Sequence, residues 1–107
     1  MNITWDAQAL KQAKKLTAGK PGFFKLIYDN EDCGCSDGIT TLWYIAEPEG
    51  NEGTIESNLG PILADRDQMA YLEEEMQITW VEDYSRFRLK TADGIINPFM
   101  KFYNWVK

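Results

Sequence analysis

The sequence predicts a β-rich α+β domain, and three observations carry that prediction. Short runs rich in β-branched and aromatic residues recur along the chain, residues 23–28 and 39–46 being the clearest. Turn-forming clusters separate such runs, as in Pro21-Gly22 and Glu47-Pro48-Glu49-Gly50-Asn51-Glu52-Gly53. Only two stretches show a helical pattern. Short strands with two helices make a compact layered domain, and 107 residues suffice for one modest core but not two. No repeat, low-complexity segment or linker interrupts the chain, so residues 1–107 are expected to form a single domain.

Ile3-Thr4-Trp5 is expected as a first short strand. Asp6 is suited to cap a helix, because its carboxylate can accept from amides that lack partners in the first turn. That helix runs to about Thr17, with Ala9, Leu10, Ala13 and Leu16 on one stripe and Lys11, Lys14 and Lys15 largely away from it. Gly19 can stop it, and Pro21-Gly22 forces a turn. Residues 23–28 form a strand, residues 30–38 a polar loop, and residues 39–46 a second strand. Residues 47–53 read as a hairpin-like turn with residues 54–58 returning. Residues 62–64 form another short strand, after which Asp65 caps a second helix that turns Met69 and Leu72 inward. Residues 76–81 alternate as a strand. Residues 86–90 do so more sharply, with Arg86, Arg88 and Lys90 on one face and Phe87 and Leu89 on the other. Ala92-Asp93-Gly94 is a tight turn before Ile95-Ile96.

Net charge is −6, from 11 basic and 17 acidic residues, and it is unevenly placed. No Lys or Arg stands between Lys25 and Arg66, an interval that carries Asp29, Glu31, Asp32, Asp37, Glu47, Glu49, Glu52 and Glu56. Phosphate backbones and anionic membranes are bound by clustered Lys and Arg, so this face excludes nucleic acid and membrane as partners. It is either a solvated face or a surface that recruits cations or a basic partner. The N-terminus lacks the basic start and apolar block of a signal peptide, and no apolar run is long enough to span a bilayer. A cytoplasmic protein is the expectation.

The sharpest chemical signal is Cys33-Gly34-Cys35, the only cysteines in the chain, placed in the acidic loop between two strands. The chain has no histidine, so imidazole acid–base chemistry is excluded and any metal must take thiolate or oxygen ligands. A disulfide closed over one residue strains the bridge geometry even with Gly34 between, which argues against a permanent one. Two thiolates cannot complete a tetrahedral zinc site or a four-ligand iron–sulfur site. Two copies of the chain supply four, if a symmetric dimer brings the loops together. The neighbouring Asp29, Glu31, Asp32 and Asp37 oppose thiolate formation, which weakens the case for a nucleophilic thiol, but they attract a hard cation. Their spacing does not follow an EF-hand loop.

Together these pieces resemble the HesB-like, or A-type (IscA-like), iron–sulfur cluster assembly family. Ile3-Thr4-Trp5 followed by helix from Asp6-Ala7 is similar to that family's start. Cys35-Ser36-Asp37-Gly38 resembles its first cysteine loop, usually Cys-Ser-Gly, here with Asp37 inserted. Ala64-Asp65 to Tyr71-Leu72, then Ile78-Thr79-Trp80-Val81, resembles its later helix and strand, while Phe87 and Asn97-Pro98 match the segment before its tail. The resemblance covers residues 2–98. It implies a β-sandwich or pseudo-barrel of short strands with two flanking helices, and a protein that binds iron or an iron–sulfur cluster without catalytic turnover. It also implies a homo-oligomer that works with recipient apo-proteins or cluster-assembly proteins. Only the loop position carries over, to Cys35. The family's C-terminal Cys-Gly-Cys is missing, and Cys33 is an additional thiol. Cys33 and Cys35 are therefore the expected ligands of iron or a cluster, shared with a second subunit, with Asp32 and Asp37 beside them as metal ligands and Asp29 and Glu31 as weaker candidates for cation capture.

Residues 99–107 replace the missing tail. Phe99, Phe102, Tyr103 and Val106 fall at helical spacing, so they are expected to cover the sheet as one apolar stripe, in preference to an exposed aromatic docking surface. Trp5, Trp43, Trp80 and Trp105 are assigned to packing or an interface. Two other functions stay open at this point. One is a thiol–disulfide redox protein using Cys33 and Cys35. The other is an interaction domain that kept the fold and presents its acidic face or its aromatic tail.

Overall fold

The computed structural model describes residues 1–29 and 39–106. Its elements run β1 (Asn2–Trp5), α1 (Ala7–Thr17), β2 (Phe23–Asp29), β3 (Ile39–Ile45), β4 (Glu52–Ser57), β5 (Ile62–Asp65), β6 (Glu75–Val81), β7 (Arg86–Thr91), β8 (Gly94–Met100) and β9 (Phe102–Asn104). The strands bond in the order β8-β7-β6-β1-β4-β5-β2-β3-β9. The sheet curls until its two ends nearly meet. Its outermost strands, β8 and β9, are joined through Lys101 alone, and Asn97 of β8 donates its side-chain amide to the Thr40 carbonyl of β3 at 2.7 Å. This is the expected pseudo-barrel.

Local signals in the sequence are realised closely. Asp6 caps α1 by accepting from the Ala9 amide at 2.7 Å, and Lys14 and Lys15 occupy the last turn, where a cation is favourable. The helix ends on Ala18, in the left-handed region, followed by Gly19. β7 buries Phe87 and Leu89 and turns its cations outward. β1 lies between β4 and β6, parallel to both, and so buries Ile3 and Trp5. Asn58 fixes its end, accepting from Trp5 N at 2.8 Å and donating to Trp5 O at 3.0 Å.

Four expectations are corrected. Residues 54–58 do not return as a hairpin on β3: β4 pairs with β1 and β5, because the edge of β3 is taken by β9. The stretch after Asp65 is a 3₁₀ turn over Arg66–Tyr71 without a side-chain cap, since the Asp65 carboxylate faces Lys25 instead. Met69 and Leu72 do pack against the core, so among the described residues the flanking helices reduce to one α-helix. Leu16 leaves the helix's buried stripe, where Thr17 takes its place, and is 40% exposed.

The tail is not helical. β8 continues to Met100, which is buried, and residues 102–104 then pair in parallel with β3, setting Leu42 against Phe102 and Trp43 against Tyr103. Phe102 packs on the core, whereas Trp105 is 60% exposed. Strand alternation, with Met100 and Phe102 inward, prevails over helical spacing because β3 offers an open edge.

The core sits between the curled sheet and α1. Its aromatic part is a connected chain of rings in which Phe87 touches Trp5, Trp80 and Phe102 at centroid distances of 5.8, 5.0 and 5.9 Å.

Candidate functional site

β2 and β3 form an antiparallel ladder from Phe23 opposite Ile45 to Asp29 opposite Ile39. The two ends of residues 30–38 are thus set side by side on paired strands. Cys33, Cys35, Asp32, Asp37 and Glu31 lie within residues 30–38, outside the described residues, and Asp29 closes β2.

The root of this hairpin is held by two side-chain amides. On the β2 side, Gln68 accepts from Tyr28 N at 3.2 Å and donates to Tyr28 O at 3.4 Å. On the β3 side, buried Asn97 donates to Thr40 O at 2.7 Å while its own carbonyl accepts from Phe99 N at 3.1 Å. Thr41 adds a bond across the ladder, donating its hydroxyl to Ile27 O at 3.1 Å and accepting from the Trp43 indole at 3.1 Å. Gln68 comes from the 3₁₀ turn and Asn97 from β8, so elements far apart in sequence converge on the same two strands. Satisfied buried polar groups of this kind fix register. The Asn97-Pro98 pair was visible in the sequence; nothing there marked Gln68.

Among the described residues, no three thiol or carboxylate groups converge as metal ligands would. The acidic interval does something else: Glu52 and Asp65 bracket Lys25. Lys25 sits in the middle of β2, in register between Trp43 and Leu63, and is only 2% exposed. Its ammonium lies 2.9 Å from Glu52 Oε2, 3.0 Å from Asp65 Oδ1 and 3.9 Å from Glu49 Oε2. Burial pushes the Lys25 pKa down, but the contacts with Glu52 and Asp65 and the charges of Asp65 and Glu49 outweigh it and leave it raised. Glu52 is held at about 2, first by the Lys25 ammonium and then by the Glu49 amide, with the Gly50 amide adding to them. These two amides donate to Glu52 at 2.8 and 2.7 Å, so one carboxylate orders the turn that precedes β4.

This cluster has a defined pH signature. A carboxyl whose pKa is depressed on folding contributes stability above its unfolded value, and that contribution is lost as pH falls towards the folded one. Stability should therefore decline as pH drops from about 4.5 towards about 2, and Glu52→Gln should flatten that part of a chemical-denaturation profile. An acid limb of equal slope in wild type and Glu52→Gln would refute the assignment.

Among the described residues, no helix is long and apolar enough to cross a membrane. The model of the iron-sulphur cluster biosynthesis family matches residues 1–104. The uncharacterized protein YqkB of Bacillus subtilis (strain 168) is 32% identical over 94 residues, which are 87% of this chain and 86% of YqkB. Two crystal structures show the same fold. A candidate Fe-S biosynthesis protein from Lactobacillus salivarius superimposes with a TM-score of 0.77 at 19% identity, covering 98% of each chain. IscA with its 2Fe-2S cluster does so with a TM-score of 0.65 at 14% identity, covering 91% of this chain and 97% of that one. The family model over residues 1–104 and the likeness to YqkB agree: this chain belongs to the iron-sulphur cluster biosynthesis family, the HesB/IscA group.

Proposed function

We infer that this protein takes part in iron–sulfur cluster assembly as a cytoplasmic carrier without catalytic turnover, holding iron or a cluster through Cys33 and Cys35. The observation that carries the reading is that the chain's only two thiols fall in the sequence between the paired strands β2 and β3 of a chain whose residues 1–104 match the cluster-biosynthesis family. Two thiolates fill half of a four-ligand site, so a second copy completes it, with the 33–35 segments of the two subunits facing each other. Asp32 and Asp37, which flank the thiols in the sequence, draw in a hard cation, and Asp29 and Glu31 add to that field. The cargo then passes to recipient apo-proteins or to other assembly proteins. Residues 102–104 pair with β3 and residues 36–107 hold no cysteine, so the thiol ligands are assigned to Cys33 and Cys35. The clamps by Gln68 and Asn97 support the reading, since a shared site needs both hairpins held at fixed geometry.

Anaerobic reconstitution with iron and sulfide tests this. The protein should develop visible absorption that the Cys33→Ala, Cys35→Ala double variant lacks. A protein that stays colourless, or colour that survives in the double variant, would contradict it.

A further inference from the structure

A groove beside α1 is not used by the cluster reading. β8 stays with β7 as far as the Phe87–Met100 pair, and the chain then crosses at Lys101 to join β3. Residues of α1, β6, β7, β8 and β9 line an opening at that crossing. The result is a groove of about 320 Å³ bounded by Gln12, Lys15, Leu16, Trp80, Arg86 and Phe102. It continues past Leu16 and Phe102 into a second hollow of about 340 Å³ that ends at Asn104 and Trp105.

Three properties of this groove define what fits it. Its floor is apolar and open to solvent, with Leu16 and Trp105 exposed beside Phe102. Its rim is cationic: Lys15 and Arg86 are exposed, and among the described residues neither makes an ion pair. The one carboxylate bonded to a lining residue, among the described residues, is Glu82, which accepts from the Trp80 indole at 2.6 Å. In a chain with six more acids than bases, a cationic rim left unpaired is complementary to an anionic partner. Finally, β9 is an outermost strand. The bonds from Leu42 N to Lys101 O and from Trp105 N to Tyr44 O fix its parity, so the main-chain groups of Phe102 and Asn104 are directed away from β3.

From these we propose that the groove docks an extended acidic segment of a partner protein, alternating carboxylates with aliphatic side chains. Its main chain lies along the outer edge of β9, its aliphatic side chains enter between Leu16, Trp80 and Phe102, and its carboxylates pair with Lys15 and Arg86. This goes beyond the cluster reading and does not depend on it.

The test is a titration of the full chain, without iron or sulfide, with a short end-blocked peptide alternating Glu with Leu and Val. It is followed by tryptophan fluorescence, since Trp80 and Trp105 line the groove. A saturable change is expected that salt weakens. The Lys15→Glu, Arg86→Glu double variant should bind it roughly tenfold more weakly, and should in turn take up the same peptide with Lys in place of Glu. Both substitutions are at exposed positions, and a cooperative thermal melt, lowered only slightly by the anion placed in the last turn of α1, verifies folding. No binding, equal binding of the Lys peptide by wild type, or unchanged affinity in the variant would overturn the proposal. So would self-association of the peptide-free chain, or binding to phosphatidylserine vesicles, that the double variant abolishes, because the groove would then belong to a second copy or to a lipid surface.

Discussion

Lys25→Ala is expected to lower the melting temperature by roughly 10 °C or more. The ammonium is buried and faces Glu52 and Asp65, with Glu49 beyond them. Removing it leaves carboxylates on adjoining strands with no cation between them, and like charges held together in a poorly hydrated place repel strongly. The loss should be largely recovered by neutralising all three in Lys25→Met, Glu52→Gln, Asp65→Asn, because an ion cluster replaced as a whole by uncharged groups of similar shape is often neutral or stabilising. Thermal melts at neutral pH decide it. If Lys25→Ala melts within a couple of degrees of wild type, the cluster behaves as a solvated surface pair.

Phe87→Ala is expected to cost about 3–5 kcal/mol, a sizeable share of the roughly 5–15 kcal/mol that holds a domain folded. Phe87 is 1% exposed and its ring meets those of Trp5, Trp80 and Phe102. The lost ring thus opens a cavity walled by β1, β6 and β9, strands that cannot all collapse into it. Chemical denaturation gives the value, and Phe87→Leu should cost clearly less because it refills much of the space. A Phe87→Ala protein as stable as wild type would mean that this side chain is not the hub of the core.

What the sequence revealed depended on how local each cause was. The Asp6 cap, the alternation of Phe87 and Leu89 against Arg86, Arg88 and Lys90, and the strands on either side of residues 30–38 are set within a few residues, and each is realised. The order of the strands is not local. Nothing in Ile3-Thr4-Trp5 says that it lies parallel between β4 and β6, and without β9 on β3 the segment after Ile45 looks like a hairpin return. The tail failed for the same reason: Phe99, Phe102, Tyr103 and Val106 suit a helix, Met100 and Phe102 suit a strand, and only the open edge of β3 decides.

Lys25 shows the limit most plainly. In the sequence it marks where the acidic interval begins; in the structure it gives Glu52 a neutralising task, so part of the apparent cation-recruiting face is internal pairing. For the candidate site, the thiols and their place between two strands were legible. The bracing of those strands was not: Gln68 carried no signal, and Asn97 was visible only as part of Asn97-Pro98, because each amide acts from an element distant in the chain.

The central claim is that thiols of two chains close on one cluster. Native mass spectrometry of the anaerobically reconstituted protein, with iron and sulfide assayed on the same sample, tests it most directly. The account predicts a coloured species of two chains carrying a single cluster, and a colourless single chain for Cys33→Ala, Cys35→Ala. A coloured single chain, or a coloured dimer formed by the double variant, would contradict it.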